Sequence, residues 1–299
     1  MNAIEGLLCA AAGGDSSAGV AAGGLIDFAG LFPPAVLDMH SAARKYLEYG
    51  RSSYRHALGK LILKLEQFPY LWDAAGDYVR GMPLSVIASP ESDWDDLRRL
   101  LDKGYAVKAV EIQSADGASE MERLIAKVPE GLLIYFEVPV CGTGGQMLAA
   151  IAGTGARVKL RLGGTVAEAF PSPQAVAQML AELAHRRMIF KATAGLHHAV
   201  RGRYALTYAA DSPTAVMHGF MNLACAAAVL YFGGEVEEAV EVLEEEWRGA
   251  WQVSPEAIAW QQNSWNGDEL REVRQKFFAG FGSCSFEEPM RELEALRWL

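Results

Sequence analysis

Six short apolar runs recur through the middle of the chain: KLILKL, LSVIAS, VKAVEIQ, LLIYFEV, ARVKLRL and MIFKATAG. Each has the length of a buried strand. Between them lie amphipathic segments of helical length, SDWDDLRRLLDKG, SEMERLIAKV, GGQMLAAIAG and SPQAVAQMLAELAHR, each with a start or stop residue. Strand and helix in alternation predict βα units and a parallel sheet. Beyond residue 214 the rhythm breaks for two helices, VMHGFMNLACAAAVLYF and EVEEAVEVLEEEW. It returns as AIAWQQ, GDELREVRQKFF, AGFGSCSF and EEPMRELEALRWL. About eight units result, the number that closes a (β/α)8 TIM-like barrel.

In this count KLILKL is the first strand, MIFKATAG the sixth, AIAWQQ the seventh and AGFGSCSF the eighth. The expected organisation is one α/β barrel domain over 25–299, with a helical segment at about 35–57 ahead of the first strand and a helical insertion at 214–248 after strand six. Residues 1–24, whose Ala/Gly-rich part is 10–24, are expected to be mobile. No GxGxxG follows an early strand, which removes the main support for an open dinucleotide-binding sheet.

Alternate residues of a barrel strand point inward, so strand parity sorts the side chains. Val110 and Ile112 face the helices, which turns Glu111 and Gln113 inward. Ile134, Phe136 and Val138 face out and leave Tyr135 and Glu137 inside. Val158, Leu160 and Leu162 leave Lys159 and Arg161 inside, and Phe190 and Ala192 leave Lys191 and Thr193 inside. Four successive strands thus carry interior charges near their C-terminal halves, the end where barrels of this kind hold their active sites. Buried ion pairs seldom stabilise more than apolar packing of the same volume. Their retention points to a use.

Composition then narrows the partners. The chain has 299 residues and a net charge of -10, which argues against nucleic-acid or anionic-membrane surfaces. Cys9, Cys141, Cys225 and Cys284 form no CxxC pair, so a reducing cytoplasm fits better than a disulfide framework or zinc knuckle. MNAIE lacks the basic start of an export signal. The 17-residue run ending at Phe232 carries His218 and Asn222 and reads as a buried helix, not a membrane span. Either the barrel or a second copy of the chain must cover it, so a homo-oligomer is one of two outcomes.

The interior charges suggest specific chemistry. Lys191, between apolar neighbours and beside Lys159, is expected to lose its proton easily and attack a carbonyl, and Lys191→Met is expected to abolish activity while leaving the fold intact. Glu137 would move the proton, and Glu111 would orient it. Arg161 would grip a carboxylate or phosphate. His197, His198, Arg201 and Arg203 add local positive charge for an anionic ligand. Ser285 and Glu288 have capping-box spacing, so a helix should follow GFGSCSF and offer Ser283, Ser285 and nearby amides to the same anion. CGTGGQ, residues 141–146, is a second candidate nest. No HxH or HExxH spacing is present, and no metal or other cofactor is expected.

FKATAGLHH, LIDFAGLFPP and FGSCSFEEP resemble three signature blocks of an uncharacterised bacterial protein family, a match spanning most of the chain. More distantly, FKATAG is similar to the lysine-bearing sixth strand of deoxyribose-phosphate aldolase and other class I aldolases. That resemblance implies a Schiff base on Lys191 and a lyase acting on a small anionic carbonyl compound. It also implies a second lysine on strand seven, which AIAWQQNSW does not supply. Two alternatives stand beside it. One is a divalent-metal barrel enzyme using Glu111, Glu137 and His197 or His198. The other is a non-catalytic assembly protein with structural interior charges.

Overall fold

A computed structural model describes residues 2–10, 23–113 and 117–299. Helix α1 (Ala3–Leu8) comes first, followed by β1 (Ile26–Phe28), α2 (Met39–Tyr49), β2 (Leu58–Lys64), α3 (Phe68–Ala75), β3 (Leu84–Ala88), α4 (Trp94–Asp102), β4 (Val107–Ile112) and α5 (Ala118–Lys127). The alternation continues through β5 (Leu133–Val138), α6 (Gly144–Ile151), β6 (Arg157–Arg161), α7 (Pro173–His185) and β7 (Phe190–Thr193). An antiparallel hairpin, β8 (Gly202–Ala205) and β9 (Thr214–Met217), precedes α8 (Phe220–Tyr231) and α9 (Val236–Glu244). Then come an antiparallel meander, β10 (Trp251–Val253), β11 (Ala257–Trp260) and β12 (Asn263–Asn266), and finally α10 (Gly267–Lys276), β13 (Phe278–Ser283) and α11 (Glu287–Ala295).

Eight parallel strands close into a barrel in the order β1, β13, β7, β6, β5, β4, β3, β2. The expected (β/α)8 barrel is therefore present, with its eight strands numbered differently. Ile26–Phe28 is the first barrel strand, too short for its period to show, and it advances every later strand by one. Lys191 accordingly lies on the seventh barrel strand, not the sixth, and Lys159 lies on the sixth. AIAWQQ is no barrel strand, because Ala257–Trp260 pairs antiparallel with its neighbours in the meander.

Two boundaries also change. The insertion expected at 214–248 after strand six follows strand seven and is mixed, since Thr214–Met217 is a strand and the meander extends it. Within the expected mobile opening, Ala3–Leu8 is a helix capped by Asn2, its buried side packed on α10. Residues 11–22 of that opening lie outside the described residues.

Outward side chains of the strands, among them Val110, Phe136, Val158 and Phe190, share one apolar core with Leu97, Leu124, Leu148 and Leu180 of the surrounding helices. All of α8 from Phe220 to Leu230 is buried, against α7, α9 and α10. The chain itself covers this part of the run, while Phe232 at its end is exposed. No helix among the described residues is long and apolar enough to cross a membrane.

Closure at β13 depends on Gly280. Its φ is 132°, and a Cβ there would stand 2.4 Å from the Leu25 carbonyl oxygen. Arg274 of α10 fills the adjoining space and donates to the carbonyls of Leu7, Gly23 and Ala279 at 2.8, 2.9 and 2.6 Å. Burial lowers its pKa to about 10, which leaves it charged at neutral pH. This buried cation ties α1 and the segment ahead of β1 to the last strand.

Candidate active site

The parity argument holds inside the barrel. Glu111, Tyr135, Lys159 and Lys191 are buried there, beside Ser85 and two groups the interior-charge pattern had not included, Asp27 of β1 and Lys60 of β2. Strand parity extended to LGKLILK turns Lys60 inward with Ile62, whereas the three residues of IDF carry no period from which Asp27 could be read.

A continuous chain of ion pairs runs across these strands. Lys60 reaches Asp27 at 3.2 Å, and Asp27 reaches Lys191 at 2.6 Å. Lys191 lies 2.7 Å from Glu111, which meets Lys159 at 3.0 Å. Lys159 is 3.1 Å from Glu137, and Glu137 is 3.1 Å from the Arg161 Nε. Ser85 donates to Glu111 at 2.7 Å, and the Lys60 amide donates to Asp27 at 2.7 Å. Gly59 makes room for this carboxylate, since a Cβ there would fall 2.2 Å from Asp27 Oδ1. Lys191 also stands over the Tyr135 ring, 5.5 Å from its centroid.

The electrostatics follow from this pairing. Burial alone would raise Glu111, but the Lys191 and Lys159 ammoniums outweigh it and hold the carboxyl far below its usual range. Asp27 and Glu137 are lowered against burial in the same way, Asp27 by Lys191 and Lys60, Glu137 by Lys159 and Arg161. Burial would likewise discharge Lys191, yet Asp27 and Glu111 raise its pKa well above the ordinary lysine value. The expectation of an easily deprotonated Lys191 is thus reversed. The neighbours that decide its charge are two carboxylates on other strands, and not the cation beside it.

A cavity of about 410 Å³ opens above the network. Glu111, Gln113, Lys159, Arg161, Thr193 and His197 line its polar side, and Ala29, Phe32, Ile62 and Ile87 its apolar side. Lys159 borders this space, whereas Lys191 lies beneath it and does not. Gln113 donates to Glu137 at 3.4 Å. The three sequence blocks meet here: LIDFAGLFPP forms β1 and one wall, FKATAGLHH forms β7 and supplies His197, and FGSCSFEEP forms β13 and supplies Cys284.

Other candidates sit further out. His197 reaches the cavity, with Nδ1 3.2 Å from Glu288. His198 stacks on Tyr204 with 3.4 Å between ring centroids and pairs with Glu292 at 3.3 Å, beside a smaller cavity of about 200 Å³. Arg201 borders neither cavity and pairs with Glu246 at 3.4 Å. Arg203 is exposed on β8.

The helix expected after GFGSCSF is present as α11, and Ser285 Oγ accepts from the Glu288 amide at 3.2 Å. Ser283 Oγ accepts from the Ser285 amide at 3.3 Å. Both hydroxyls are thus engaged with the backbone, and the first turn of α11 carries Glu287 and Glu288. Each hydroxyl thus helps to hold the start of α11. CGTGGQ contributes no residue to the cavity.

For the metal alternative, Glu111 and Glu137 are bridged by Lys159, and no group of three or more His, Cys, Asp or Glu among the described residues is arranged to hold an ion. An eight-stranded parallel barrel with polar groups at its mouth is compatible with a barrel enzyme. In comparisons with known proteins, no protein-family model and no curated protein matches the chain.

Proposed function

We propose that the chain is a Schiff-base lyase of the aldolase type, acting on a small anionic carbonyl compound, with Lys159 as the nucleophile in place of Lys191. The observation that carries the reading is the position of Lys159. Among the described residues it is the lysine that borders the 410 Å³ cavity, and it lies between Glu111 and Glu137 with Lys191 in register beside it on β7. With the barrel counted from β1, lysines stand on strands six and seven, although FKATAG, the stretch that carried the resemblance to class I aldolases, is the seventh strand and not the sixth.

The network supports a proton route. A lysine attacks a carbonyl only when neutral, and at rest Lys159 pairs with two carboxylates. Arg161, whose side chain is 49% exposed, is the outermost member of the network and holds Glu137. A substrate carboxylate or phosphate that takes over Arg161 removes one of the two cations lowering Glu137. Glu137 then becomes a better base and accepts the Lys159 proton across 3.1 Å. The neutral amine adds to the carbonyl carbon, Glu137 returns the proton to the departing hydroxyl as water, and the iminium accepts the electron pair of the breaking carbon–carbon bond as Glu137, ionised again, takes the proton of the substrate hydroxyl that becomes the departing carbonyl. Lys191 and Ser85 keep Glu111 ionised and fixed throughout.

Borohydride reduction in the presence of pyruvate, glyoxylate or dihydroxyacetone phosphate tests this reading. The expected result is a stable adduct on the Lys159 peptide, absent in Lys159→Met. An adduct on Lys191 would return the nucleophile to the seventh strand, and no adduct with any of the three would overturn the Schiff-base reading.

A further inference from the structure

A second set of reactive groups borders the same cavity and takes no part in that mechanism. Cys284 follows β13 directly, is 5% exposed and lines the cavity. Its Sγ lies 3.9 Å from His197 Nδ1 and 3.5 Å from the Tyr208 hydroxyl. The same Nδ1 is 3.2 Å from Glu288 and 3.5 Å from Ser283 Oγ. His198 and Glu292 form the next pair behind them. Four elements therefore converge on one sulfur: the end of β13, the loop after β7, the hairpin carrying Tyr208, and α11.

The other cysteines lack this setting. Cys225 is enclosed in α8, where burial pushes its thiol up strongly. Cys141 is exposed, and Cys9 is half-buried. A reactive cysteine needs a neighbouring cation and a route for its reagent, and Cys284 has both. Burial disfavours the His197 imidazolium, but its hydrogen bonds to Cys284 and Glu288 prevail and raise its pKa to about 9. The ring is then a proton donor at neutral pH.

We propose that Cys284 is a nucleophilic thiolate site that forms a reversible hemithioacetal with small aldehydes entering the barrel mouth. The sulfur electron pair forms the new S–C bond, the carbonyl π bond breaks, and the resulting alkoxide takes the Nδ1 proton of His197. The products are a neutral hemithioacetal and a neutral imidazole, with no change of oxidation state. Glu288 holds the ring in place, and the Tyr208 hydroxyl donates to the thiolate before attack. Arg161 in the same cavity favours anionic aldehydes. The site does not rest on the lysine reading, because the bond is made to sulfur.

The test compares cysteines within the wild-type chain by peptide-level mass spectrometry after iodoacetamide treatment at about pH 8.5 and about pH 6. At either pH Cys284 is expected to be labelled at least about fivefold faster than exposed Cys141, and to lose that advantage in His197→Gln. Glyoxylate labelled with carbon-13 at the aldehyde is expected to protect Cys284 and to give a hemithioacetal resonance that vanishes in Cys284→Ser. A Cys284 rate that does not exceed that of Cys141 in the wild type would overturn the thiolate. An imine resonance alone, with Cys284 unprotected, would overturn the aldehyde site while leaving the lysine reading standing.

Discussion

Replacing Lys191 by Met removes a cation that lies 2.6 Å from Asp27 and 2.7 Å from Glu111, both carboxylates being buried. Neither is left wholly alone. Asp27 keeps Lys60 and its amide, and Glu111 keeps Lys159 and Ser85. Breaking a buried pair from one side costs about 3–5 kcal/mol, and losing the contact with the Tyr135 ring adds about 1 kcal/mol. The remaining partners place the sum near the lower end, about 4 kcal/mol. For a chain of this length the unfolding entropy is about 0.6 kcal/mol/K, so Tm should fall by about 6 °C.

Thermal and urea unfolding followed by circular dichroism measure the effect, with Glu111→Gln and the double variant alongside. The two single costs should overlap, making the double variant about 1–2 kcal/mol less damaged than their sum. Acid should also narrow the gap. In Lys191→Met the two carboxylates lose the charge that depresses them, so they protonate at higher pH than in the wild type and relieve their own burial. The cost is then greatest above about pH 6 and shrinks towards pH 4. A Tm within about 1 °C of wild type, or additive single costs, would refute the coupled network.

Two further outcomes follow from the geometry. Gly59→Ala puts a methyl group 2.2 Å from Asp27 Oδ1 and must displace that carboxylate, so stability should fall by about 1–3 kcal/mol; an unchanged urea midpoint would show that Asp27 does not need the space. His197 has a folded pKa raised from 6.5 to about 9, so its contribution is complete below about pH 6.5 and is lost as pH rises through about 9. That loss amounts to about 3 kcal/mol and should be missing from the unfolding profile of His197→Gln; equal profiles for the two proteins would contradict it.

Local pattern settled much about this protein. The period of two placed Glu111, Glu137, Lys159, Arg161 and Lys191 inside the barrel because a pleated strand gives its neighbours no choice of face. The alternation of strand and helix, with start residues such as Ser172 acting as caps, fixed the fold class. It failed at Ile26–Phe28, where three residues carry no readable period, and at Ala257–Trp260, where a strand-like run says nothing about which sheet it joins. Only the closed barrel brought Asp27 and Glu111 beside Lys191, across 164 and 80 residues of chain, and so set its charge. A side chain's face is decided by its immediate neighbours along the strand, whereas its proton affinity is decided by charges within a few ångströms, and in a parallel barrel those charges come from other strands.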